Sequence, residues 1–234
     1  MSAPLQEKMT LATLPQEVLK IVLAHSHDLD SLLSTVASCR AFYAAFHTSP
    51  SSLTQALVFR EIDAAVLPEA IQTLRAALFH RHRHRLPSSD PHLAVSSLFG
   101  EGRDALLNYR WNLADGIAVI RLHSIVETFT SEFASYYLSW LQRHSKCEQE
   151  GPPSIQERAR IKRALYRFET YCNLFPPPQD LEDSDFKAAE ISFLSSFSPW
   201  EIEQLASVHE SMWRRLTPGT SQYVPKQTCF DWPL

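Results

Sequence analysis

Two histidines four residues apart are the first place in this sequence to look for chemistry. In "FHRHRHRLP" (79–87), His80 and His84 would lie one turn apart on a helix, a spacing that suits two metal ligands. Arg81, Arg83 and Arg85 interleave them and could meet phosphates. The same arginines repel a cation, however, and the run holds neither carboxylate nor cysteine. Cationic side chains at a helix C-terminus are favoured by the helix dipole, which accounts for the run without a ligand. "HSHDLD" (25–30) sets His25 and His27 beside Asp28 and Asp30, and an aspartate there reads first as a helix cap. Arg160, Arg163 and Arg167 could hold a phosphate. Their spacing reads as a charged outer helix face, with the acidic loop around 180–185 as counter-charge.

Catalytic signatures are missing from the sequence. It has no G-x-S-x-G elbow, no phosphate-binding glycine loop, no dinucleotide fingerprint and no H-E-x-x-H. With only 5 glycines, backbone cradles for phosphate are not expected. Cys39, Cys147, Cys172 and Cys229 are far apart and form no C-x-x-C pair, so reduced thiols are expected rather than disulfides or zinc. The expectation is a protein that is not an enzyme and needs no cofactor or metal. A net charge of -4 gives no overall pull toward nucleic acid or anionic lipid. No apolar run approaches the roughly 20 residues needed to span a bilayer, and "MSAPLQEKMT" lacks the layout of a secretory signal. No membrane partner is expected, and the location expected is intracellular, cytoplasmic or nuclear.

The 234 residues are 44% hydrophobic and 21% charged, an ordinary globular balance that can fill a core. The 15 prolines fall between periodic segments, which is the punctuation of a helical chain. The fold expected is all-α. Helices are predicted from Pro15, from about Asp28 or Asp30, over 40–46, over 52–62 and from Pro68. Shorter helical pieces follow over 93–112, then one long helix or two joined ones over 113–144. In that segment Ile125, Phe129, Phe133, Tyr136 and Trp140 make a stripe that reads as core. Ser154 and Glu157 form a capping box, as do Ser198 and Glu201 with Pro199 at the first helical position. The last helix is expected to turn Ile202, Leu205, His209, Met212 and Leu216 inward.

The helix at residues 14–23 has more apolar positions than one core face needs. Leu14, Val18, Leu19, Ile21, Val22 and Leu23 cover well over half of its circumference at 100° per residue, where a stripe of roughly 100° suffices. Either both sides are buried within the chain, or one side docks a partner.

"LATLPQEVLKIVL" followed by "LDSLLSTVASCRAFYAAF" resembles an F-box. Leu14, Pro15, Glu17, Val18, Leu19, Val22, Leu23, Leu32, Cys39, Arg40 and Phe42 keep the order of that family's pattern over residues 11–50. The turn "HSHDL" departs from the pattern, as do Ser31 in a commonly acidic position and Phe42 in place of tryptophan. "RALYRFETYCNLF" and "FSPWEIEQLASVHE" look like segments in the C-terminal halves of F-box-like proteins of filamentous fungi.

The resemblance implies a three-helix F-box-like unit packed on a larger irregular helical region. It implies a tail over 1–10, the F-box-like domain over 11–50, the helical region over 51–217 and a second tail over 218–234. It further implies an adaptor that binds a Skp-type protein and presents an unknown target protein to a cullin–RING ubiquitin ligase. Leu14, Pro15, Val18, Leu19, Val22, Leu23, Leu32 and Phe42 would be the adaptor-binding residues. The alternative is a helical scaffold protein whose first helices are sealed in the core. It requires Leu14, Val18 and Val22 to be covered by the chain's own C-terminal helices.

Overall fold

The computed structural model describes residues 14–82, 91–99, 108–144, 151–175 and 184–216. Among them the chain is all-α, as expected, with helices and no strand. The helices are α1 (Gln16–Ala24), α2 (Leu29–Ser38), α3 (Arg40–Thr48), α4 (Pro50–Glu61), α5 (Leu67–His82), α6 (Pro91–Phe99), α7 (Leu113–His144), α8 (Ile155–Leu174), α9 (Ser184–Ser195) and α10 (Pro199–Leu216).

Local chemistry explains most helix starts. Pro15 sits just before the first turn, in the N-cap position rather than inside the helix, with φ -56° and ψ 144°. Its carbonyl accepts the first backbone bonds, from the Val18 and Leu19 N–H groups. Asp28 caps α2 by accepting the Ser31 N–H at 2.7 Å, and that bond holds its carboxyl below the usual carboxylate range. Ser154 and Glu157 complete a reciprocal capping box on α8. At α10 the second box is only half made. Glu201 accepts the Ser198 N–H, while the Ser198 hydroxyl donates to the same carboxylate.

Three buried clusters hold the helices together. Leu19 and Leu23 of α1, Leu29 and Leu32 of α2, Phe42 and Phe46 of α3, and Leu53 and Leu57 of α4 make the N-terminal one. The central cluster joins the end of α4 to α5, α7, α8 and α10 around Trp111, Val119, Tyr166 and Val208. The third lies where α5, α6, α8, α9 and α10 meet, around Leu98, Leu174 and Phe193. α4 feeds two of these cores, with Leu53 and Leu57 in one and Val58 in the other. The N-terminal helices are thereby packed onto α7 as well, through Leu113, Ile117 and Ile120.

The long helix α7 is unbroken, and its inward face is not the aromatic stripe expected from the sequence. Val119, His123, Val126, Thr130 and Ala134 are buried. Phe129 and Phe133 flank them half-buried, and Ile125, Tyr136 and Trp140 are exposed. Close helix contact selects small and β-branched side chains at the seam, which places the bulky ones to its sides. On α10, Val208 rather than His209 takes the inward position.

Gly116 marks the tightest such seam. A Cβ placed there would overlap Cγ2 of the buried Thr54 on α4. Alanine at 116 gains up to ~1 kcal/mol of helix propensity but overpacks the seam, at a cost of about 1–3 kcal/mol. Gly116→Ala is therefore expected to lower the urea midpoint. In a Thr54→Ala background the same change should become neutral or stabilising. Equal effects in both backgrounds would show that the two helices are not in contact there.

Candidate partner-binding surface

α1 packs against α3, α4 and α2, all on one side. Leu19 and Leu23, 2% and 1% exposed, point to that side. The other side carries Val18, Ile21 and Val22, which are 40%, 58% and 43% exposed, with Leu14 half-buried at its start. Leu14, Val18, Ile21 and Val22 follow an i, i+4, i+7, i+8 pattern, a single stripe along the helix. Pro15 is exposed beside it. A cleft of about 330 Å³ runs along the same helix against the start of α4, lined by Ile21, Ala24 and Leu53 with Glu17, Lys20, Ser49 and Ser52 at its edges.

The helix is held in place at both ends. Lys20 Nζ donates to Glu17 at 2.9 Å across the first turns. At the far end His25 Nδ1 donates to the Ile21 carbonyl at 2.8 Å, and Arg60 of α4 donates to the Ala24 carbonyl at 2.9 Å. The apolar stripe is therefore carried on a fixed element.

The eight residues expected to contact a Skp-type protein divide into two groups. Pro15, Val18 and Val22 are exposed on the outer side, and Leu14 at the start of the stripe is half-buried and packs against the N-terminal cluster. Leu19, Leu23, Leu32 and Phe42 are buried in the N-terminal cluster, where they close the helices on one another and present no surface. Ile21 belongs with the outer group and is the most exposed of the stripe. Its place was legible in the sequence, seven residues after Leu14. Tyr43 of α3 is also outward, 57% exposed, and its ring lies 4.3 Å from that of His47.

The other candidate sites resolve differently. His80 and Arg81 are exposed at the end of α5, and Arg83, His84 and Arg85 lie outside the described residues. Among the described residues no three His, Cys, Asp or Glu side chains converge as a metal site, His25 to Asp30 included. The Arg160–Arg163–Arg167 stripe is not one outer face. Arg160 is exposed, and Arg163 donates to the Ala65 carbonyl at 3.4 Å. Arg167 is buried, pairing with Glu69 of α5 at 3.4 Å and Glu201 of α10 at 2.7 Å, with its guanidinium 5.0 Å from the Phe197 ring centre. Burial works against charge on Glu201, but the Ser198 bonds and Arg167 outweigh it and hold its carboxyl below its ordinary value. The sequence signal was the pair of helix-start glutamates, Glu69 and Glu201, which lacked a cation of their own.

The α7–α8 seam holds a polar cluster that no motif announced. His123 Nδ1 and the Tyr166 hydroxyl are 2.7 Å apart, and His123 Nε2 lies 3.3 Å from Glu127. A neutral imidazole that accepts from Tyr166 and donates to Glu127 satisfies both contacts. Lys162 and Arg158 also pair with Glu127, Arg158 at 3.1 Å. Burial pushes the Tyr166 hydroxyl well above its usual range, so it stays protonated. Burial opposes charge on Glu127, yet the Lys162 and Arg158 contacts keep its carboxyl low. Cys172 of α8 is an exposed free cysteine, and partial desolvation with Glu169 nearby pushes its thiol up to about 11. The cluster binds the two helices together.

No family model, curated protein or solved structure matches the chain. Among the described residues, no helix is long and apolar enough to cross a membrane.

Burial lowers the proton affinity of His123 and outweighs the opposing pull of Glu127; Lys162 adds to the lowering, and Asp63 opposes it least. The unfolded chain takes up that proton near its ordinary value of ~6.5. Stability is thus full above that pH and falls as pH drops toward the folded value. The urea midpoint should decline between pH ~7 and ~5. His123→Gln should flatten that interval and leave the loss below pH ~4.5, where Glu127 titrates. An equal slope in both proteins would place the titration elsewhere.

Proposed function

We propose that this chain is an F-box-type adaptor with no chemistry of its own. α1 docks a Skp-type protein through Leu14, Pro15, Val18, Ile21 and Val22, and the C-terminal helices present a target protein to a cullin–RING ubiquitin ligase. The observation that supports the reading is the outer stripe of α1, three branched aliphatic side chains left about half exposed on a helix that packs inward through Leu19 and Leu23. An amphipathic helix laid into an apolar groove uses anchors at this spacing. The ordered match of residues 11–50 to the F-box pattern names the class of partner.

The scaffold reading needs Leu14, Val18 and Val22 covered by the C-terminal helices. Among the described residues α1 packs on α2, α3 and α4, and Val18 and Val22 stay exposed. That favours a surface used between molecules over one sealed within the chain.

Completing the burial of one such half-exposed side chain stabilises a complex by ~1 kcal/mol, so the stripe supports micromolar binding only with its anchors acting together. Co-elution of the purified chain with a purified Skp-type adaptor is expected on size exclusion. Val18→Asp and Val22→Asp should each weaken it by about tenfold or more with only a small fall in melting temperature, because both side chains are already about 40% exposed. Leu19→Asp should unfold the N-terminal helices instead. A wild-type chain that does not bind at tens of micromolar, or variants that bind as well as wild type, would remove the proposal.

A further inference from the structure

The stripe on α1 is too small to seat a partner by itself. A stable interface buries about 800 Å² on each side, drawn from about 20–30 residues. One side of a nine-residue helix offers four, Leu14, Val18, Ile21 and Val22, and the first of these is half-buried. A partner resting on them must also rest on a neighbouring element.

α4 is the neighbour that offers the surface. Its Leu53 and Leu57 enter the N-terminal cluster, and its Val58 enters the central one. The remaining side carries Ser52, Ala56 and Phe59, an i, i+4, i+7 pattern in which all three are exposed, Phe59 by 44%. The cleft of about 330 Å³ joins this stripe to that of α1. Ile21 of the first stripe and Ser52 of the second both line it, with Ala24 and Leu53 between them. Tyr43 of α3 is also an exposed aromatic, but its ring lies against His47 and it does not line the cleft.

The two stripes keep a fixed relation. Leu19 and Leu23 pack with Leu53 and Leu57 in one cluster, and Arg60 Nη1 donates to the Ala24 carbonyl at 2.9 Å. Glu17 and Lys20, the charged groups lining the cleft, pair with each other at 2.9 Å. The charges are thus answered within the chain, and Ile21, Ala56 and Phe59 are what a partner would meet. Aromatic residues are enriched in interfaces. Residues 11–50, the stretch that resembles an F-box, end where α4 begins, so the resemblance gives α4 no role.

We propose that the surface for the Skp-type protein continues from α1 across the cleft onto α4, with Ala56 and Phe59 as further anchors and the cleft taking an apolar side chain of that partner. This rests on the adaptor reading and adds to it a second helix.

Isothermal titration calorimetry of the full chain with a purified Skp-type adaptor tests it, with melting temperatures measured alongside. Phe59→Ser removes the aromatic anchor. Ala56→Glu sets a carboxylate at the rim of the cleft while keeping a good helix former. Val18→Asp reports on the α1 surface. Ile191→Ser removes an apolar side chain that is 47% exposed on α9, which packs on α6. Both α4 variants should weaken binding about fivefold or more with only a small fall in melting temperature, and Ile191→Ser should bind as wild type does. Ala56→Glu, at an exposed position, carries the test should Phe59→Ser destabilise the chain. Binding lost on Val18→Asp but unchanged by both α4 variants would overturn the extension and leave the α1 reading standing. An equal loss on Ile191→Ser would overturn it as well, because any exposed apolar residue would then have the same effect. A wild-type chain that does not bind at tens of micromolar would remove the adaptor reading and the extension with it.

Discussion

A nine-residue helix at the edge of a bundle can bury only one of its sides. α1 is closely packed on the side of Leu19 and Leu23, while Val18, Ile21 and Val22 stay 40%, 58% and 43% exposed, Ile21 at the edge of the cleft against α4. Val18, Ile21 and Val22 are about half exposed, so completing their burial would add roughly half of the ~1.5–3 kcal/mol that full burial gives each. A second molecule that covers the stripe would gain that free energy. The packing of Leu19 and Leu23 and the Arg60 bond to Ala24 hold the helix, so a partner would not first have to order it. The division of α1 into a packed side and an open side is what the functional reading rests on.

The C-terminal helices solve a different problem. α8 is surrounded by α5, α7 and α10, and its polar side chains must find partners where they stand. Arg167 meets two glutamates from different helices, and Tyr166 meets His123. Thr73 of α5 bonds both the Tyr166 carbonyl, at 3.0 Å, and Thr170, at 2.9 Å. Such contacts contribute little net stability but penalise any other register, because breaking one partner leaves the other buried and unpaired. The bundle is therefore a specific support.

Much of this was legible in the sequence. Asp28, the Ser154–Glu157 box and the prolines before helices mark starts by chemistry local to each turn, and local chemistry survives folding. The inward face of α7 was not legible. Reading periodicity by bulk picks out Phe129, Tyr136 and Trp140, whereas a close seam uses Val119, His123, Thr130 and Ala134. Arg167 failed for a related reason: an arginine reads as surface until its carboxylates, 98 residues before it and 34 after it, are brought to it. On α1 the surplus of apolar positions was visible. Which of the eight expected contacts face outward needed α3 and α4 in place.

Methyl NMR with a water-soluble paramagnetic agent tests the division of α1 most directly. In the free chain the methyls of Val18, Ile21 and Val22 should be strongly relaxed and those of Leu19 and Leu23 protected. Adding a saturating Skp-type protein should protect the first three and leave the two leucines unchanged. Protection of Val18 and Val22 in the free monomer, or their continued exposure with the adaptor in excess, would contradict the account.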